Sequence, residues 1–405
     1  MDGSSQLTFG VELEFVIETK QSDFDRWGIR PIQMQSPYDF FTDPRIYQLV
    51  ILTMRNAGLY VKDVEIDNAS PSTDYSGWTV TSDGSIDIRD GGNTDAALQA
   101  PTVVNAQASM TSGAQAGAEY PHVQPSVRPH FHHQTWAVSE LTNLGWPAPR
   151  LNGITRSGIE VKSPVLDFCA AGFAEVYRAV EALRQSLRVW ANNSCGLHVH
   201  VGCRSGILPL PTLRSGAALM VAFEHQLNTL HTRDRLTSEY AIGFDNHAHF
   251  WSLSRLERVA RIHAGDIDTV NQLVRLMCPN DARLAYNFMP LFQTNQQASL
   301  GTIEFRAHAG SVDAERVVAW AQVVTGLMYY AHSAPACDQM ALIQTYAHDE
   351  TFDVFHLIQS IGLSNWPFRA YYARVGLSSP LRTAQEDAMI RWSVARELAS
   401  YAVDE

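Results

Sequence analysis

Several segments of the chain alternate between polar and apolar residues, which is the pattern of a β-strand with one buried face. Side chains alternate across a strand, so each segment collects its polar residues on one face and its apolar residues on the other. Two further runs predict a pair of neighbouring strands. The predicted strands are residues 7–19, 79–88, 158–165 and 196–202, with 284–292 and 301–309 as the pair.

Other segments space their apolar residues as a helix does. They are residues 170–190, 211–230 and 383–401, together with a helix that opens at Asp313. Connections of unequal length separate these elements, and no regular βαβ repeat is present. The sequence therefore predicts an α+β fold in a single domain over residues 1–405.

Two parts of the chain depart from this pattern. Residues 105–150 are rich in Ala, Gly, Pro, Gln and Ser and poor in charge, which predicts a loop-rich insertion. Its histidines suit either a metal site or a proline-spaced surface loop, and the loop explains them as well as a metal does. These histidines are His122, His130, His132 and His133. Residues 335–405 predict a C-terminal helical extension.

Composition and charge exclude some classes of protein. The formal net charge is −12, whereas nucleic acids and anionic membrane surfaces require a basic partner. The five cysteines are odd in number and sparse, so they predict no disulfide framework. Residues 317–337 contain no Asp, Glu, Lys or Arg, but Gln322 and His332 favour a buried amphipathic helix over a membrane span. We expect a soluble cytoplasmic protein, with a homo-oligomer as one alternative for its oligomeric state.

The polar residues of the predicted strands are mainly acids and imidazoles. Clustered carboxylates raise one another's pKa and destabilise a fold unless cations neutralise them. Carboxylate-rich sites suit Mg²⁺ or Mn²⁺, and an imidazole among them favours tolerance of Mn²⁺. If the strands share one sheet, one of its faces presents a concentrated array of charged and imidazole groups, in which the carboxylates and imidazoles can bind metal ions. Its members are Glu12, Glu14, Asp83, Asp87, Glu160, His198, His200, Glu304, Arg306 and His308.

These residues also suit two other interpretations, a solvated strand face and a zinc site. A single acidic pair within one strand is more often a solvated strand face than a metal site. The prediction of a metal site therefore depends on five strands that all alternate acidic or imidazole residues with apolar ones. Cys195, His198, His200 and Cys203 look like a zinc quartet. In one extended strand, however, the two cysteines lie about 26 Å apart, which no single ion can span. The quartet therefore requires a tight turn.

Six short motifs follow one another along the chain. They are Gly10-Val-Glu-Leu-Glu-Phe15, Asp83-Gly-Ser85, Gly158-Ile-Glu-Val-Lys-Ser-Pro164, Gly196-Leu-His-Val-His-Val-Gly202, Arg283-Leu-Ala-Tyr-Asn287 and Thr302-Ile-Glu-Phe-Arg-Ala-His308. Their order and spacing over about residues 7–330 resemble the amidoligase family. That family belongs to the carboxylate–amine ligase superfamily, which includes glutamine synthetase and γ-glutamylcysteine ligase.

The resemblance implies a curved, mainly antiparallel sheet of about six strands with helices on its convex face. Nucleotide, metal ions and substrate would occupy the concave face, with ATP and Mg²⁺ or Mn²⁺ as cofactors. By position, Glu12, His198 and Glu304 would hold the ion that bridges the ATP phosphates. Glu14 and Glu160 would hold a second ion.

The resemblance also implies roles for the other polar residues. Arg306 would neutralise the transferred phosphoryl group, and His200 would contact phosphate or nucleotide. Lys162 departs from the family, which has an uncharged residue there, and would either pair with an acid or bind a substrate carboxylate. Candidates for binding substrate or supporting the ligands are Asp83, Ser85 and Asn287.

The function implied is an ATP-dependent ligase that joins a small carboxylate to an amine, with residues 1–405 as one catalytic domain. The acid would react through an acyl phosphate, and His308 and Asp83 are the candidates for the base that deprotonates the amine. Three alternatives remain open. They are a phosphotransferase that stops at a phosphorylated product, a metallohydrolase that acts without ATP, and a binding protein that has lost catalysis.

Overall fold

The computed structural model describes residues 7–30, 43–62, 76–83, 85–88, 153–244, 252–279, 284–293 and 299–363, together with Tyr371. The 105–150 insertion with its histidines and the predicted helix at 383–401 lie outside these residues. Within the described ranges, helices and strands alternate irregularly, so the α+β prediction is confirmed.

The strands form one open sheet. They are β1 (Leu7–Lys20), β2 (Thr79–Ser82), β3 (Ile154–Lys162), β4 (Leu166–Asp167), β5 (Arg188–Trp190), β6 (Gly196–Cys203), β7 (Tyr286–Asn287) and β8 (Ile303–Ala309). Six of them follow the order β2-β3-β1-β6-β8-β7, and β4 and β5 both pair with β1. These strand pairings are antiparallel, which confirms a mainly antiparallel sheet. Over the part of the chain that the structure describes, the sheet has eight strands, two more than the six expected, because the short strands β4 and β5 also pair with β1.

The described ranges contain ten α-helices. They are α1 (Gln21–Arg26), α2 (Pro44–Asn56), α3 (Ala170–Ser186), α4 (Leu210–Asn228), α5 (Arg233–Leu236), α6 (Arg255–Ile262), α7 (Val270–Met277), α8 (Ala314–Ser333), α9 (Ala336–Tyr346) and α10 (Val354–Ser360). Helix α8 packs against β1 and β6 and lies beside α3 and α4. Within the described ranges, no helix combines the length and the apolar character that crossing a bilayer requires.

Strand alternation explains where the core lies. Val11, Leu13 and Phe15 of β1 are at most 3% exposed and belong to the large hydrophobic cluster that also contains Trp320 of α8. Removing such apolar side chains from water contributes about 25 cal/mol per Å². This burial fixes which face of β1 meets the helices, and it leaves the intervening polar residues on the opposite face.

A β-bulge in β8 changes which residues share a face. Val199 is paired with Phe305, whereas Leu197 is paired with His308, so two steps along β6 correspond to three along β8. The extra residue reverses the alternation beyond the bulge. His308 therefore lies on the apolar face with Leu197, and the expectation that it shares a face with Glu304 is wrong.

Two predicted strands are shorter than expected. Strand β2 ends at Ser82 because the Asp83 carboxylate accepts hydrogen bonds from Ser85 N at 2.8 Å and Ser85 Oγ at 2.6 Å, which makes a side-chain turn. The predicted strand 284–292 is reduced to β7. A 3₁₀ helix at Met289–Leu291 follows, and its Pro290 has no backbone N–H to offer a sheet.

Candidate active site

Strand register brings the acids and imidazoles of three strands together on the face of the sheet opposite α8. Strand β1 lies between β3 and β6. Glu12 is directly opposite Lys162 on one side and His198 on the other, and Glu14 is opposite Glu160. Residues opposite each other in antiparallel strands have Cβ atoms about 4.5–5.5 Å apart. These five side chains are therefore neighbours although they are far apart in the sequence.

Strand β8 adds an acid that is held from two sides. Glu304 is opposite His200 on β6 and Asn287 on β7. Asn287 Nδ2 donates to Glu304 Oε2 at 2.7 Å, while Asn287 Oδ1 accepts from Met289 N at 2.9 Å. Arg306 Nη1 is 2.5 Å from Glu304 Oε1. The carboxylate is thus fixed by a neutral donor and by a cation.

Glu12, His198 and Glu304 form a compact group of potential ligands. His198 Nδ1 lies 3.2 Å from Glu12 Oε2 and 3.6 Å from Glu304 Oε1. One ligand atom from each of the three residues lies within 4.8 Å of the other two. Two carboxylates and one imidazole are a donor set that Mg²⁺ or Mn²⁺ accepts. The three residues therefore fit the ion that the resemblance implies.

A second group shares the same imidazole. Ligand atoms of Glu14, Glu160 and His198 also lie within 4.8 Å of one another. His198 Nε2 faces Glu14 Oε1 at 3.6 Å, on the side of the ring opposite the first group. The two groups together bring close all five residues that were predicted as metal ligands. They also show that His198 stands between the two candidate ion positions.

The first group is arranged to remain ionised. Burial alone would raise the pKa of Glu12, but the charge of His200 and hydrogen bonds from His198 and His200 outweigh it and hold the pKa well below its usual range. Burial opposes the shift at Glu304 as well, and His200 and Arg306 lower its pKa nevertheless. Ionised carboxylates are the form that binds cations.

Glu160 shows the opposite tendency. Burial, and then the charge of Glu12, raise its pKa to about 7, although Lys162 opposes the shift. Lys162 Nζ is 3.0 Å from Glu160 Oε2 and 3.4 Å from Glu12 Oε1. Of the two alternatives for Lys162, the structure shows the one in which it pairs with acids. Carboxylates exceed their counter-charges at this point of the face.

The backbone of Gly196 positions Glu14, and no larger residue fits at this place. Gly196 N donates to Glu14 Oε2 at 2.6 Å. A Cβ atom at Gly196 would lie 2.5 Å from His198 Nε2 and 2.7 Å from Arg235 Nη2. Real Cβ atoms do not approach other atoms so closely, so any side chain here would push His198 or Arg235 away from its place.

Arg235 is a site residue that the sequence did not reveal. It is only 4% exposed, and its Nη2 donates to the carbonyl oxygen of Arg306 at 2.8 Å. Burial lowers its pKa to about 10, and Glu14 opposes that shift, so it remains a cation at neutral pH. The run Arg233-Asp234-Arg235 is typical of an exposed helical turn, and only tertiary packing shows that its last residue supports the site.

Asp83 and Ser85 lie at the margin of the site. Gly158, two residues before Glu160, makes room for the turn that contains them, because a Cβ atom there would lie 2.7 Å from both Asp83 O and Ile86 Cβ. The turn therefore rests on β3 near Glu160. The side chains of Asp83 and Ser85 bind each other through the hydrogen bonds that end β2.

His308 does not join the site. It is 0% exposed, and its ring lies 5.5 Å from that of Trp320 in α8. His308 Nδ1 is 2.6 Å from Ala309 O, and Nε2 is 2.7 Å from the Tyr371 hydroxyl. A carbonyl only accepts, so Nδ1 carries a proton. Nε2 forms a hydrogen bond with the Tyr371 hydroxyl, which also lies 3.3 Å from the Arg316 carbonyl oxygen. This geometry makes His308 part of the core and contradicts its candidacy as the general base.

The four residues Cys195, His198, His200 and Cys203 do not form a zinc site either. Cys195 and Cys203 stand at the two ends of the extended strand β6 and belong to different hydrophobic clusters. Both thiols are buried, and burial raises the pKa of Cys195 to about 12.

The described sheet gathers glutamates, histidines and an arginine on one face, and two groups of these glutamates and histidines could each hold a metal ion. The family model described as "Putative amidoligase enzyme" matches residues 5–328, which include every side chain of this face. The chain belongs to this amidoligase family, which indicates a ligase-type enzyme. No protein of curated function matches the chain.

Proposed function

We propose that the protein is an ATP-dependent ligase that joins a small carboxylate to an amine, with Mg²⁺ or Mn²⁺ as cofactor. Family membership supports amide formation. Phosphoryl transfer is supported by one observation above all, namely that two groups of metal ligands meet at His198. A carboxylate needs such activation because its oxygen is a poor leaving group at neutral pH.

The proposed ion positions follow the two groups of ligands. Glu12, His198 and Glu304 would hold the ion that contacts the ATP phosphates, and Glu14 and Glu160 would hold the second. Bound divalent ions shield the charge of the phosphates and orient them for in-line transfer. The role of the protein is to hold these carboxylates close together before the nucleotide arrives, and to keep those of Glu12 and Glu304 ionised.

Two cations beside the first group suit the phosphoryl group. Arg306, held 2.5 Å from Glu304 Oε1, would neutralise the charge on the transferred phosphoryl. His200 Nε2 lies 3.4 Å from Glu12 Oε1, and its Nδ1 lies 3.0 Å from Thr302 Oγ1. Burial alone would lower the pKa of His200, but Glu12 raises it, which favours the imidazolium that binds phosphate.

The chemistry takes two steps. A substrate carboxylate oxygen attacks the γ-phosphorus of ATP, the bond from that phosphorus to the bridging oxygen breaks, and ADP leaves with the electron pair. The amine nitrogen then attacks the acyl carbon, the carbon–oxygen bond breaks, phosphate leaves, and the nitrogen loses a proton. Asp83 is the remaining proposed acceptor for that proton. The acyl phosphate must be kept from water during the second step.

The direct test is a screen of carboxylate and amine pairs for ADP release with magnesium ATP. ADP should appear only when the divalent ion and a suitable acid are present, and mass spectrometry should find an amide. Glu304→Gln should lose at least about 100-fold in rate, the scale of losing a preorganised electrostatic group. Glu350→Gln is the matched control, because it removes the same charge from an exposed turn.

Other outcomes identify the alternative functions. A phosphorylated acid without amide would indicate a phosphotransferase, and turnover without ATP would indicate a metallohydrolase. Absence of nucleotide binding would indicate a binding protein. Undiminished turnover in Glu304→Gln would remove Glu304 from the mechanism and overturn the proposed site.

A further inference from the structure

His198 faces both ion positions but can complete only one of them. Its Nδ1 lies 3.2 Å from Glu12 and 3.6 Å from Glu304, and its Nε2 lies 3.6 Å from Glu14. A neutral imidazole has one lone pair for a metal, and its other nitrogen carries a hydrogen. When Nδ1 binds an ion, Nε2–H points at Glu14 and orients that carboxylate. The second position then has only two protein carboxylates, Glu14 and Glu160.

Lys162 already neutralises one of those two carboxylates. It is directly opposite Glu12 and two residues after Glu160 on the same face of β3. Its Nζ is 3.0 Å from Glu160 Oε2 and 3.4 Å from Glu12 Oε1. The Lys162 side chain is 34% exposed, whereas those of Glu160 and Glu12 are 14% and 18% exposed. Lys162 is therefore the most accessible of the three side chains.

The formal charges on this face of the sheet show when a second ion can bind. Four carboxylates, those of Glu12, Glu14, Glu160 and Glu304, are accompanied by the cations of Lys162, Arg235 and Arg306, and by the imidazolium of His200 beside Glu12. With all of these groups charged the formal charge is 0, and one divalent ion changes it to +2. A second ion would bring it to +4 in a confined space, which is unfavourable until an anionic ligand enters.

We propose that Lys162 is a built-in counter-cation of the second ion position. The free protein then binds one divalent ion, at Glu12, His198 and Glu304. The second ion enters between Glu14 and Glu160 only with the nucleotide, whose phosphates compensate its charge and draw the ammonium of Lys162 away from Glu160. This inference rests on the proposed metal-dependent function, and it adds an order of binding to it.

The test is a titration of the purified protein with Mn²⁺, in which free Mn²⁺ is measured by electron paramagnetic resonance. Without nucleotide, the wild-type protein should bind one ion, and with a non-hydrolysable ATP analogue it should bind two. In Lys162→Gln, the second ion should bind without nucleotide, with an affinity at least about tenfold higher than in the wild type, because the competing charge is gone.

Two variants serve as controls for charge and for location. Lys162→Arg keeps the cation and should bind Mn²⁺ as the wild type does. Lys20→Gln removes a positive charge from the exposed end of β1 and should leave both ions unchanged. Circular dichroism establishes that each variant is folded, and the wild-type titration with and without the analogue tests the order of binding even if Lys162→Gln does not fold.

Either of two results would overturn the inference. Two ions bound to the wild-type protein without nucleotide, or an unchanged second affinity in Lys162→Gln, would show that Lys162 does not compete for this position. Failure of the proposed ligase activity appears separately, as the absence of an amide product in the substrate screen, because the Mn²⁺ titration requires no turnover.

Discussion

Glu12 and His198 lie directly opposite each other on β1 and β6, with His198 Nδ1 3.2 Å from Glu12 Oε2. The imidazole is only 3% exposed, so its orientation is set by packing as well as by the carboxylate. A histidine fixed in this way presents one nitrogen to each of two acidic groups. The pair therefore defines the centre of the site, and its properties lead to the first prediction.

Replacing His198 should abolish stabilisation of the protein by Mn²⁺. A ligand that binds only the folded state adds about 2.7 kcal/mol to the free energy of unfolding at one hundred times its Kd. We expect Mn²⁺ to raise the melting temperature of the wild-type protein and to have little effect on His198→Gln. His356→Gln, which alters an exposed histidine on α10, should respond as the wild type does. An undiminished Mn²⁺ effect in His198→Gln would exclude His198 as a ligand.

The glycine between Glu14 and Arg235 should not tolerate a methyl group. In Gly196→Ala the new Cβ atom would meet His198 Nε2 at 2.5 Å and Arg235 Nη2 at 2.7 Å. Overpacking of this kind costs about 1–3 kcal/mol of stability, and the displaced His198 should also weaken Mn²⁺ binding. Urea unfolding and Mn²⁺ titration measure the two effects.

Gly265→Ala provides the matched control for that substitution. Gly265 is exposed, its φ is not in the left-handed region, and a Cβ atom there would have open space around it. The alanine should leave the free energy of unfolding unchanged or raise it by about 0.4–1 kcal/mol, because it restricts the unfolded chain. Equal stability of the two variants would mean that the close contacts at Gly196 are relieved at no cost.

Glu160 should make the metal-free protein less stable as the pH rises. Burial and Glu12 raise its pKa to about 7, above the value of about 4.3 in an unfolded chain. The folded state therefore holds the proton more tightly, and the stability that this adds at low pH is lost as the pH rises from about 4.5 to above 7. The loss amounts to about 4 kcal/mol at most.

Urea unfolding in the presence of a chelator, at pH values from 5 to 8, measures this dependence. Glu160→Gln cannot ionise and should lose stability less steeply than the wild type over that range. The pKa of His200 is also raised, so its contribution falls in the same direction, but it is common to both proteins and cancels in the comparison. Glu350→Gln should keep the wild-type slope. Equal slopes for Glu160→Gln and the wild type would refute the raised pKa.

His308 should prove structural. His308→Ala removes the ring that contacts Trp320 and forms a hydrogen bond with the Tyr371 hydroxyl, and loss of a buried hydrogen-bond partner costs about 1–3 kcal/mol. We expect a lower melting temperature and a normal rate of ligation per folded molecule. A variant of full stability with little activity would instead return His308 to the list of candidate bases.

Much of the local structure follows from sequence alone. Alternation predicts residues 7–19 as a strand, and β1 is Leu7–Lys20. Residues 196–202 are predicted and β6 is Gly196–Cys203. Asp313 is predicted to open a helix, and its side chain accepts from Arg316 N at 3.2 Å at the start of α8. Short-range chemistry decides these features, since a strand face or a helix cap depends on residues only a few positions apart.

Sequence also determines which side chains share a face within one regular strand, and hence that Glu12 accompanies Glu14 and that His198 accompanies His200. It does not determine what lies opposite them. The pairing of Glu12 with both Lys162 and His198 depends on strand order and register, which long-range packing of the apolar faces selects. The β8 bulge and the burial of Arg235 likewise depend on contacts between distant segments. Only the tertiary structure therefore shows that His308 lies outside the site and that Arg235 belongs to it.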